Sequence, residues 1–140
     1  MDKKELLSKY KRNYFEQDFY RKNVFYAFSE KQLLEGMQRL GVENREDLVT
    51  MFGLGDFCMK SKAKEIISWV DEQSQKNVDW LKSLTEDEKK DIIEYELYNH
   101  ECTYTWDIEP VIKKLGNIFA YELIISVWHK VQRENQGISV

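Results

Sequence analysis

Glu96 and His100 are the two side chains whose types and spacing could do chemistry here. They stand four residues apart, so a helix over this stretch sets a carboxylate beside an imidazole that titrates near neutrality. Stepping by about 100° per residue, Ile92, Ile93 and Leu97 define one apolar arc, and Glu96 and His100 fall inside it. A carboxylate in that arc is either ionised and paired or protonated, because an unpaired buried charge is too costly. Cys102, Thr103, Tyr104 and Thr105 favour turn or extended backbone over helix, so the helix is expected to end near them. Glu96, His100, Tyr104, Trp106 and Asp107 are then expected to converge where it runs out.

Two roles fit that pair. As a latch, Glu96 and His100 fix the path of the following loop by hydrogen-bonding its backbone groups. As a ligand or catalytic pair, they would serve a small-molecule or nucleotide binder, or a hydrolase. No third ligand stands at a recognised spacing, so neither a metal nor another cofactor is expected. Asp107 has a further role available, capping a short helix with Pro110 in its first turns and Gly116 as its stop.

The elements that must position these residues are mostly helical. Lys3 to about Arg21 reads as a first helix, with Leu6, Leu7, Tyr10, Tyr14 and either Tyr20 or Phe19 near one face. Val24–Phe28 is an extended lead-in, and Ser29 with Gln32 is a capping-box pattern opening a helix that Gly41 stops in the left-handed region. Gly36, inside that helix, marks a close approach of another backbone or a loss of helix stability. Apolar residues on both sides of Gly53–Asp56 predict a small β-hairpin near residues 48–59; it lacks the glycines and the strand-to-helix context of a phosphate loop. Ser61 is expected to cap a third helix, with a solvated stretch or a break at the Asp71–Asn77 segment, which has no apolar residue. Thr85 with Glu88 opens the helix of Glu96 and His100. The last helix, about Ile118 to Arg133, has an apolar arc too wide for one buried face, which places it centrally in the core or against a second copy of the chain. His129 lies in its polar seam, and Gln136–Val140 is expected to fray.

The 140 residues are enough for one domain with its own core, mainly α with a small β element, built from five or six helices. Its parts are an N-terminal helix over residues 1–22, a core over 23–117, a C-terminal helix over 118–135 and a tail over 136–140. Cys58 and Cys102 show no motif spacing and fit reduced thiols in a cytoplasmic protein. With no long apolar run and a charged start, neither a membrane span nor a signal peptide is expected.

A net charge of −4 argues against general nucleic-acid binding, but the charge is segregated. Residues 1–22 carry seven basic and four acidic side chains, a net of +3; residues 86–101 carry two and seven, a net of −5. Such asymmetry predicts either basic-on-acidic packing within the chain or an oriented encounter with a charged partner. Asp87, Asp91 and Glu94, with Glu96, His100, Tyr104, Trp106 and Asp107, are the candidate binding residues.

Tyr95, Glu96, Leu97, Asn99, His100 and Glu101, with Thr105 and Asp107, make the chain resemble an uncharacterised family of short proteins carried by bacterial phages and mobile elements. The resemblance extends to Phe25, Ala27, Phe28 and Ser29, to Gly36, and to Gly53 and Gly55, covering roughly residues 20–117. Leu54 and Asp56 depart from the denser glycine run expected of relatives in that loop. The resemblance carries no activity. It implies a setting in which small acidic proteins inhibit host immunity by binding a defence effector such as a CRISPR nuclease, within the bacterial cytoplasm.

Overall fold

Val24 and Phe25 point to opposite faces of a strand, as successive residues must, and one part of the molecule is layered around that alternation. The computed structural model describes residues 1–12 and 16–138. The chain divides into two compact units, Arg12–Lys76 and Met1–Lys11 with Asn77–Val140. Among the described residues there are eight α-helices: α1 (Lys3–Lys11), α2 (Asp18–Asn23), α3 (Glu30–Leu40), α4 (Ala63–Ser83), α5 (Glu86–Asn99), α6 (Cys102–Thr105), α7 (Glu109–Leu115) and α8 (Tyr121–Ile138). The strands are β1 (Val24–Tyr26), β2 (Leu48–Val49) and β3 (Asp56–Met59). The fold is therefore mainly α with a small sheet, as composition and patterning predict, although with more and shorter helices.

In Arg12–Lys76 the sheet is antiparallel with the order β1-β3-β2, pairing Val24 with Cys58 and Phe25 with Phe57. The predicted hairpin is thus β2 and β3, and the lead-in at Val24 is the third strand. One sheet face buries Val24 and Cys58 with Tyr20 of α2 and with Ile66 and Val70 of α4. The other buries Phe25 with Met37 of α3 and with Val42. Gly36 is where α3 meets that second face: a Cβ there would lie 2.1 Å from the Phe25 ring, which is stacked on Phe57. Ser29 caps α3 by accepting from the Gln32 N–H, and Gln32 reaches back to the Phe28 N–H at 2.7 Å. Gly41 ends α3 at φ 73°.

Asp56 sets the loop between β2 and β3. Its carboxylate accepts from the N–H groups of Met51 (3.0 Å), Phe52 (3.1 Å) and Leu54 (3.0 Å), so a buried charge is satisfied by the loop it organises. Burial pushes this carboxyl up, but the Leu54, Met51 and Phe52 amides outweigh it and hold it below the usual aspartate range. Gly55, at φ 84°, lies against the Phe28 ring.

In the other unit, Leu6 of α1, Leu81 at the end of α4, and Ile92, Ile93 and Leu97 of α5 share one core with α7 and α8. Each such side chain contributes about 1.5–3 kcal/mol by leaving water. Cys102 is sealed in this core and Cys58 in the other unit; both are free thiols pushed up by burial.

Several boundaries differ from the sequence reading. The first helix stops at Lys11, and α2 begins at Asp18; Leu6 and Tyr20 are buried in different cores, so one continuous apolar face would not serve both. The expected position of Tyr14 lies outside the described residues. Asp71–Asn77 is largely exposed, a solvated stretch of α4 and not a break, because Glu72, Gln73, Gln75 and Lys76 are good helix formers and Glu72 pairs with Lys76 at 3.3 Å. Ser61 lies inside a one-turn 3-10 segment (Lys60–Lys62) that precedes α4. Gly116 ends α7 in the right-handed region, at φ −63°, and a Cβ there would crowd the Ile112 carbonyl. α8 starts at Tyr121 and continues to Ile138, through part of the expected tail; His129 is exposed, as its place in the polar seam predicts.

Gly36→Ala is expected to destabilise the protein by about 1–3 kcal/mol, since overpacking against Phe25 outweighs the gain in helix propensity; an unchanged or raised melting temperature would contradict this packing. Asp56→Asn, which keeps one acceptor oxygen and turns a donor toward amides, is expected to cost about 1.5–3 kcal/mol. The carboxylate's contribution is present above the unfolded value of about 3.9 and is lost as pH falls through the lower folded value. Chemical denaturation at neutral and acid pH checks both, because the variant should lose the wild type's acid dependence over that window.

Candidate functional site

The site grows from the cap of α5. Thr85 accepts from the Glu88 N–H at 3.2 Å and Glu88 accepts from the Thr85 N–H at 3.0 Å, the reciprocal box that the spacing predicts. Three acidic residues in the first turn suit the positive end of the helix. With the start fixed, the 3.6-residue repeat carries Ile92, Ile93, Glu96 and Leu97 onto the buried side. Glu96 has no exposed surface.

His100, the C-cap of α5, places Nε2 3.2 Å from Glu96 Oε2. Lys114 of α7 reaches the same oxygen from the other side, with Nζ at 3.0 Å. The Lys114 ammonium also lies 5.7 Å above the ring of Tyr10, on α1. Tyr10 meets Tyr95 of α5 edge-on at 6.0 Å, and Lys11 sits 5.0 Å above the Tyr95 ring. Part of the basic N-terminal stretch is therefore packed on the acidic helix, through aromatic faces as intermediaries.

The opposite oxygen is different. Glu96 Oε1 and Tyr10 Oη are buried and neither completes a hydrogen bond among the described residues. Burial, and then the Glu96 carboxylate, push the Tyr10 phenol above the ordinary tyrosine value. Among the described residues, no third His, Cys, Asp or Glu joins Glu96 and His100 in a ligand set. The arrangement ties α5 to α7 through one carboxylate oxygen, by the Lys114 side chain rather than through backbone groups of the loop that follows α5.

The remaining candidates do not converge on Glu96. Glu101 and Trp106 both adopt left-handed backbone, at φ 55° and 57°, and turn the chain sharply at either end of the four-residue α6. Tyr104 is thereby left 84% exposed and Trp106 51% exposed, the latter edge-on to the buried Trp128 at 5.6 Å. Asp107 accepts from the Glu109 N–H at 2.9 Å and so serves α7, although from one residue before its N-cap, Ile108. Of the acidic candidates on α5, Asp87 is exposed, Asp91 is half-buried, and Glu94 pairs with Lys130 of α8 at 3.5 Å. Neither Asp87 nor Asp91 has an ion-pair partner among the described residues.

Lys114 and the Tyr10 hydroxyl are the members of the site that sequence reasoning missed. Lys113 and Lys114 read alike as solvated lysines in the last turn of a short helix, and nothing local separates the one that reaches a buried acid. An open cleft of about 560 Å³ in Arg12–Lys76, lined by Val42, Glu43, Asp47, Met59, Lys60 and Ser61 among others, includes none of the candidates.

Lys114→Met is expected to destabilise the protein by about 2 kcal/mol, less than for a fully sealed pair because Lys114 is half exposed; a loss below the error of denaturant melts would show that Glu96 does not depend on it. Tyr10 gives a pH signature. Its folded value is raised, so its contribution is present below about 10 and is lost as pH rises above that. Tyr10→Phe is expected to flatten the alkaline limb of a stability profile, and an alkaline limb identical to wild type would contradict the placement of the phenol.

The model of a family of unknown function (DUF7659) matches residues 7–134, and the chain belongs to that family. Comparison with curated proteins and with solved structures gives no significant match.

Proposed function

We propose that this member of the family acts by binding another protein, through the acidic and aromatic surface of Met1–Lys11 with Asn77–Val140. The observation that carries the reading is compositional and structural at once. From Asp91 to Ile112 the chain has six carboxylates, of which Glu96 is buried and Glu94 is paired with Lys130, and neither lysine nor arginine; Tyr98, Tyr104 and Trp106 within it are exposed. Exposed aromatics anchor interfaces, and a surface with an excess of one sign selects and steers an oppositely charged partner. The partner this surface suits is a basic, nucleic-acid-binding face of a protein. The resemblance to phage and mobile-element proteins makes a host defence effector the leading candidate, with the chain as an anti-defence inhibitor in the bacterial cytoplasm.

A carboxylate with no exposed surface, one oxygen already shared by Lys114 and His100, favours binding over chemistry at Glu96 and His100. The test is affinity capture from a bacterial host lysate at low and raised salt, with the Asp87→Lys, Asp91→Lys double variant alongside. Retention of a defence or nucleic-acid-processing protein at low salt, weakened at least about tenfold by the double variant while it remains folded, is the expected outcome. Retention of no such protein at either salt would refute the reading.

A further inference from the structure

Four aromatic rings of this unit lie beneath one of the chain's own lysines: Trp80 beneath Lys9 at 4.7 Å, Tyr95 beneath Lys11 at 5.0 Å, Phe119 beneath Lys89 at 5.9 Å and Tyr10 beneath Lys114 at 5.7 Å. The exposed Trp106 and Tyr104 have no such cation among the described residues. An indole face attracts a cation most strongly of the aromatic side chains, and the attraction is larger where water is displaced. Trp106 is held by its contact with the buried Trp128, so its free surface is presented without much loss of side-chain freedom on binding. The charged residues nearest to it along the chain, Glu101, Asp107 and Glu109, are all negative and exposed. The hydrogen bond to the Glu109 N–H engages Oδ1 of Asp107.

We propose that Trp106, with Tyr104 and Asp107, receives an arginine side chain from a basic segment of the partner protein. The guanidinium stacks on the indole and its N–H groups donate to the Asp107 carboxylate. Arginine suits this surface better than lysine because a planar, weakly hydrated cation stacks on a ring and meets a carboxylate with two parallel donors, whereas an ammonium is a compact, strongly hydrated point charge. Charge complementarity fixes the occupant's sign, and the open ring fixes its shape. The inference rests on the protein-binding reading and adds to it the residue type that is recognised.

The experiment uses the full chain with oligo-arginine and oligo-lysine peptides of equal length, titrated by calorimetry at low salt and at about 0.15 M salt. The arginine peptide is expected to bind at least about fivefold more tightly than the lysine peptide. Trp106→Leu, which keeps bulk against Trp128, and Asp107→Asn, which keeps the acceptor for Glu109, should each reduce the arginine peptide to the level of the lysine peptide. Tyr104→Ala, at a side chain with almost no packing, should weaken it in the same direction and guards against a folding defect in the tryptophan variant. Equal binding of both peptides, or variants indistinguishable from wild type, would overturn the arginine assignment and leave the acidic surface as a general cation binder. Absence of binding by either peptide at low salt would overturn the assignment together with the reading beneath it.

Discussion

A carboxylate without access to water has to be satisfied by the protein, and in Met1–Lys11 with Asn77–Val140 that requirement falls on Glu96. The groups around it come from three helices that are distant in sequence: Tyr10 on α1, His100 beside α5, and Lys114 on α7. Apolar contacts among Leu6, Ile92 and Leu97 hold these helices together without much directional preference. The acid supplies direction, because a lysine at 3.0 Å and an imidazole at 3.2 Å cannot be rotated or slid by a residue without leaving a buried charge alone.

Arg12–Lys76 meets the same constraint by a different route. Asp56 is also buried and charged, yet its partners are backbone amides of its own loop, all within five residues. One acid joins separate helices and the other closes a turn. The difference follows from what each unit lacks: a two-residue β2 has few ladder bonds to hold its loop, whereas long helices satisfy their own backbones and need help only in their mutual placement.

What the sequence makes legible is the local part of this. Capping signals at Ser29 and Thr85, the left-handed stop at Gly41, and the inward pairing of Glu96 with His100 all depend on residues within four positions of one another. Gly36 reads as a close approach of another backbone, whereas the group against it is the Phe25 side chain, a tertiary fact. The polar Asp71–Asn77 reads correctly as solvated, and a break there does not follow because solvation and helix are compatible. Lys114 and the hydroxyl of Tyr10 escape for a related reason: their surroundings are set by chain segments far away. The convergence of Tyr104, Trp106 and Asp107 on Glu96 fails because two non-glycine residues take up left-handed backbone, which propensities argue against.

The two cysteines carry a consequence of the division into units. Cys58 has no exposed surface in one and Cys102 none in the other, and burial raises both thiols. A thiolate-directed reagent therefore meets neither until the surrounding core opens. Each sulfur is a built-in timer for its own half of the protein, so the modification rates at the two positions, read separately, disclose whether the halves open together or one at a time.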